Sequence, residues 1–175
     1  MAFTIASGEA KRKDLIAFYI TDPTKAEALT FAVEDLEPIG KGIEDMPIKM
    51  NAQSEEGQDV LGNSYHDVTG YQPTMQVTPL KQNGDSKLAT WVDTAVEEEY
   101  TLDQLVIPIL VVKKYKTEGS AETLAYRAWV QDCTVDLESF ADGLRGVASS
   151  MTLNFTGERK LGKVLATTMA FTADT

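Results

Sequence analysis

At 175 residues, 43% hydrophobic and 25% charged, the chain is long enough to bury one core without staples, and residues 1–175 read as a single domain. Its only cysteine, Cys133, excludes an intramolecular disulfide, and its only histidine, His66, excludes a histidine-based metal cluster. With 27 acidic and 16 basic side chains the net charge is -11, so the average surface repels phosphate and disfavours nucleic-acid binding by counterion release.

In chain order, the basic cluster Lys11-Arg12-Lys13 precedes an apolar run of only Leu15 to Ile20, too short for a signal-peptide core or a membrane span, so no membrane insertion is expected. Leu15 to Ile20, Leu29 to Leu36 and the alternating Met46, Ile48 and Met50 read as strands, with Asp22-Pro23 and Pro38-Ile39-Gly40 as breaks. From Asn51 to Gly70 the chain is rich in Gly, Asn, Gln and Ser and poor in large apolar residues, which predicts a long exposed loop. No Lys or Arg lies between Lys49 and Lys81, whereas Glu55, Glu56, Asp59 and Asp67 all fall there.

Tyr71, Pro73, Met75 and Val77 then alternate as a strand, and Lys81 to Asp85 supplies a turn. The spacing of Leu88, Trp91, Val92, Ala95 and Val96 predicts an amphipathic helix over Ser86 to Glu97, with Asp85 positioned to cap it. Val106 to Val112 is apolar at every position, so as a strand it must be covered on both faces, by the core and by a helix or a neighbouring subunit. Pro108 puts it at an edge or a bulge. Leu124, Tyr126, Ala128 and Val130 alternate before the apolar phase slips to Cys133, Val135 and Leu137, which predicts a bulge near Gln131-Asp132. In the strand Val147 to Phe155, the face of Val147, Ser149, Met151, Leu153 and Phe155 turns to a core, and that of Ala148, Ser150, Thr152 and Asn154 to something wetter. Gly157 to Gly162 reads as a turn into a second strand, Lys163 to Thr172, with Leu165, Met169 and Phe171 on one face. The expected fold is therefore mainly β with one flanking helix.

Candidates for chemistry are few. A Cys133–His66 dyad is the only nucleophilic arrangement to weigh, but Cys133 shares the apolar phase of a strand and His66 sits beside Asp67 in the acidic segment, so both read as structural. Neighbouring acids such as Glu55-Glu56 and Glu97-Glu98-Glu99 read as solvated faces, and Gly40-Lys41-Gly42 lacks the pattern of a phosphate loop. Trp91 and Trp129 fall on a helix stripe and a strand, and read as core. A carbohydrate-binding or adhesion β-sandwich, the alternative among binding modules, would expose them. No enzyme activity, cofactor or metal is expected.

Two segments carry a resemblance. From Tyr65 to Glu97 an acidic, glycine-containing segment, a strand and a Gly84-Asp85 helix start follow one another, and Val147 to Phe171, around Asn154-Phe155-Thr156-Gly157, pairs a strand with a glycine-containing turn and a second strand. This order, extending from about Glu44 to Thr172, resembles the major tail tube proteins of long-tailed bacteriophages. The resemblance implies a β-sandwich or flattened barrel that assembles with itself as hexameric rings stacked into a hollow tube. Inner strands would close into a channel, a long loop, here Asn51 to Gly70, would reach the adjacent ring, and tape-measure, tail-tip and tail-terminator proteins would be partners. DNA would be transiting cargo and the location the virion tail, after assembly in the host cytoplasm. Under it, Glu55, Glu56, Asp59 and Asp67 are candidates for acids of the lumen, and Val106, Ile107, Ile109 and Val111 for a subunit-interface strand.

Overall fold

The chain, in a computed structural model that describes residues 3–5, 7–120, 123–143 and 146–174, is mainly β. Its elements are β1 (Thr4–Ile5), β2 (Leu15–Ile20), α1 (Pro23–Ala28), β3 (Leu36–Pro38), β4 (Ile48–Lys49), β5 (Ala52–Gln58), β6 (Ser64–Tyr71), β7 (Thr74–Lys81), α2 (Lys87–Glu97), β8 (Val106–Glu118), β9 (Ala125–Gly143), β10 (Gly146–Leu165) and β11 (Phe171–Ala173). One antiparallel sheet runs β3-β2-β8-β9-β10-β7-β4, with β1 on β8 and β11 on β10, while β5 and β6 form a separate two-stranded sheet.

Both faces of the central strands are apolar because two core clusters share them. Ile107, Ile109 and Val111 of β8 and Trp129, Cys133 and Val135 of β9 face one cluster, and Leu110, Val112, Ala128 and Val130 face the other. The first cluster takes residues from both ends of the sheet, Tyr19 on β2 and Met75 and Val77 on β7, together with Leu88 and Val92 of α2. Among the described residues backbone pairing leaves the sheet open, and α2 packs on the face of the first cluster. On the opposite side Ala26 of α1, Phe31 and Phe171 cover the second cluster.

Several expected elements are corrected. Residues 29–35 are not a strand, β3 starting only at Leu36, and Asp22-Pro23 is a helix start rather than a break. The Asp22 carboxylate accepts from the amides of Thr24 (3.0 Å) and Lys25 (3.4 Å), Pro23 occupies the first turn, and Leu29 ends α1 at φ 55°. The cap of α2 is Ser86, not Asp85: the Ser86 hydroxyl accepts from Ala89 N at 3.0 Å. Glu37 of β3 completes the cap from across the fold, accepting from the Ser86 hydroxyl at 2.5 Å and from Leu88 N at 3.0 Å, a carboxylate at the positive end of the helix dipole.

Gly157 to Gly162 is no turn. β10 runs through it, paired with β9 on both sides, and the chain reverses only after Leu165 to lay β11 on Gly162–Val164. The irregularity expected near Gln131-Asp132 is present, but the extra residues belong to β10: Thr156 pairs Asp132 and Lys160 pairs Val130, leaving 157–159 against Gln131. Gly162 serves close packing, since a side chain there would strike Thr172 O and the Phe171 ring. Val164 is buried and Leu165 exposed, while Phe171, expected on the face of Leu165, is buried from β11.

Candidate assembly surface

The segment expected as a loop, Asn51 to Gly70, is instead a projecting β-hairpin. Ala52 pairs Tyr71 and Gln58 pairs Ser64, with a register shift between Gln53 and Ser54. Asp59 makes its turn: its carboxylate accepts from Leu61 N (2.9 Å), Asn63 N (2.8 Å) and Asn63 Nδ2 (2.9 Å), bonds that hold it below the ordinary carboxylate range. At the root, Asn51 Nδ2 donates to Gln72 O and Thr74 Oγ1, both at 3.0 Å, and fastens the arm to β7. Tyr65 lies across Gly57 on the facing strand. At about 3.3 Å per residue, β5 carries the turn roughly 20 Å from that root.

Nothing in the subunit supports this arm along its length. Both of its faces are exposed, with only Gly57 and Gly70 partly covered, and Val60 and Leu61 at its turn are almost fully in solvent. An isolated two-stranded hairpin is marginally stable in water. The strand signal was absent from the sequence because alternation arises only where one face is buried.

The four acids expected to act together are all on the arm, in three different settings. Glu56 and His66 are cross-strand partners, with Glu56 Oε1 2.8 Å from His66 Nδ1. Glu55 and Asp67 face each other on the opposite side as an unrelieved like-charge pair. Asp59 is committed to the turn.

The strand expected at an interface, β8, runs through the core. Ile107, Ile109 and Val111 are fully buried, Ile109 and Val111 between β2 and β9 and all three in the cluster that holds Leu88 and Val92 of α2. Val106 alone is exposed, at 37%. Pro108 sits one residue beyond the point where β2 stops pairing, the edge position its missing N–H requires.

The wetter side expected of β10, with Ser150, Thr152 and Asn154, is the open face of β7, β10 and β9, but the acids beside it on β9 were not expected. Here Asp132, Asp136 and Glu138 alternate along β9 beside Asn154, Thr152 and Ser150 of β10 and Gln76 of β7. Asn154 Nδ2 donates to Asp136 at 2.6 Å. Glu138 accepts from Thr152 Oγ1 (2.5 Å), Ser150 Oγ (3.0 Å) and Gln76 Nε2 (3.5 Å), which lowers its pKa, Thr152 contributing most. No Lys or Arg occurs within 74–78, 132–138 or 150–154. The polar alternation in β10 was the signal for this face.

No protein-family model and no curated protein matches the chain. Among solved structures it is similar to a chain of an extracellular contractile injection system, the PVC sheath–tube complex in its extended state. The match is at 12% identity and a TM-score of 0.47, over 91% of this chain and 95% of that one.

The remaining candidates resolve into packing. Cys133 is buried, and burial raises its thiol pKa. Trp129, 6% exposed, lies between Lys113 Nζ (4.9 Å) and Arg159 Cζ (4.8 Å), and Trp91 meets Tyr100 edge-on at 6.3 Å. Among the described residues no group of three His, Cys, Asp or Glu side chains is arranged to hold a metal, and no helix is long and apolar enough to cross a membrane.

Proposed function

We propose that the chain is a structural, non-catalytic subunit that assembles with copies of itself into the stacked rings of a hollow tail tube. The observation that carries this reading is the β5–β6 arm, whose two bare faces and apolar turn make sense on a surface outside the subunit. The order of motifs from Tyr65 to Glu97 supports the same reading from the sequence. In this assembly the arm bridges one ring to the next, and rings of six copies pair their sheet edges, where β3 and β4 offer only three and two residues.

The lumen wall is then the open face bearing Asp132, Asp136 and Glu138, not the arm acids Glu55, Glu56, Asp59 and Asp67. An acidic wall repels phosphate, so DNA passes without a site at which to dwell. Tape-measure, tail-tip and tail-terminator proteins are the partners that such a tube requires.

The test is negative-stain microscopy with sedimentation at rising protein concentration. Annuli or hollow filaments are expected. Replacing residues 53–70 by a short Gly-Ser turn should leave circular dichroism and melting of the subunit nearly unchanged and abolish filaments. A native protein that remains monomeric at every concentration, or an arm-less one that still polymerises, defeats the proposal.

A further inference from the structure

Two clefts among the described residues differ in charge. The larger, about 840 Å³, lies between α1 and the middle of β9 and carries Glu27, Asp103, Asp132 and Glu158 against a single base, Lys160. The smaller, about 490 Å³, lies between the 37–43 segment and the end of β7, lined by Ile39, Ile43, Leu80 and Leu88. Its charged groups balance, Lys41 and Lys81 against Glu37 and Asp85, with the Glu37 carboxylate held in the α2 cap.

The arm offers the complement of the second cleft and not of the first. It ends in Val60 and Leu61, side chains with no apolar neighbour to cover them, and it carries four carboxylates and no Lys or Arg. An acidic, apolar-tipped element is repelled by the first cleft, whose charge is net negative, and fits the second, whose lining is apolar and whose charges balance. Because the arm holds its own turn in solvent some 20 Å from its root, the occupant is the turn of another copy.

We infer that the cleft formed by Ile39, Ile43, Leu80 and Leu88, rimmed by Lys41 and Lys81, receives the Val60-Leu61 turn of a second copy of this chain. The inference rests on the arm-bridging role proposed above and supplies its receptor. The contact is heterologous: each copy gives one turn and receives one, so it propagates without closing within a pair and generates a stack.

Site-specific crosslinking tests it. Chains carrying Leu61→Cys are mixed with chains carrying Lys41→Cys under mild oxidation at assembling concentration, with Leu61→Cys plus Thr90→Cys as the control pair. The native Cys133 is buried and silent. A disulfide forms only where Cα atoms come within about 7 Å, so a heterodimer band is expected from the first mixture and not from the control. In parallel, Val60→Ser with Leu61→Ser should raise the concentration needed for assembly by more than about tenfold, since two apolar side chains lose their cover. Filaments without a 61–41 crosslink, or equal bands in both mixtures, overturn the receptor and leave the arm's role standing. Native-like assembly by the serine variant overturns the arm's role and the receptor with it.

Discussion

Replacing Ile109 by alanine separates two accounts of the apolar run from Val106 to Val112. Ile109 is 0% exposed and lies in the cluster shared with Val92 of α2 and Trp129 of β9. The substitution removes three carbons, about 2.4 kcal/mol at about 0.8 kcal/mol per methylene. The cavity left between β2, β9 and α2 adds to this, for a total of about 3–4 kcal/mol, inside the range measured for Ile or Leu to Ala in cores. For a chain of this size each kcal/mol shifts the midpoint by about 2–4 °C, so Tm should fall by roughly 6–16 °C. The assay is urea and thermal unfolding of the chain at low protein concentration, with Val106→Ala, at a position 37% exposed, expected to cost less than about 1 kcal/mol. If Ile109→Ala costs the dispersed subunit less than about 1 kcal/mol yet blocks association, the strand's side chains serve an interface and the burial argument is wrong.

Three further outcomes are expected. Ser86→Ala should destabilise the subunit by about 0.5–2 kcal/mol, because Ala89 N loses its acceptor and Glu37 its donor, whereas Asp85→Ala should be nearly silent in the same urea titration. Glu138 is held below its ordinary pKa of 4.5, so its contribution to stability is complete above that value and disappears as pH falls through the lower folded-state value. Glu138→Gln should therefore flatten the loss of stability on acidification below pH 4.5, and an unchanged acid limb would refute the role of the Thr152 and Ser150 bonds. Cys133 should react with a thiol reagent only at the rate of unfolding, its thiol pKa being raised by burial; rapid labelling of native subunits would contradict its position in the core.

What could be read in advance follows from where burial leaves a pattern. The helix stripe of Leu88, Val92 and Ala95 and the inward set Met151, Leu153 and Phe155 were legible because one side of each element meets a core. The arm was not, because both of its faces meet water and no periodicity selects a strand there. The start of α1 was missed because Asp-Pro signals both a break and a capped first turn, and only the bonds from Thr24 and Lys25 to Asp22 decide between them. Around Gly157 and Gly162 two glycines mimicked a turn, although the second is required by the approach of β11. Of the candidate site, the acids of the arm were legible by composition. Their separation into a turn former, a partner of His66 and a like-charge pair depends on register, which composition does not contain.

The pairing of β2 with β8 joins residues about 100 positions apart, from Leu15 with Lys113 to Tyr19 with Ile109. Chain emerges from the ribosome at about 5–20 residues per second, so Ala17, Tyr19 and Ile20 wait on the order of 5–20 s for the strand that will cover them. The β8–β9–β10 meander, whose partners are neighbours in sequence, completes itself almost as soon as it appears. On contact order the C-terminal meander is expected to form first and β2 to dock on it afterwards, against the direction of synthesis. A growing chain exposes apolar β2 for most of its time on the ribosome, and this is the interval in which a holding chaperone or a lower growth temperature should most improve the yield of soluble subunits.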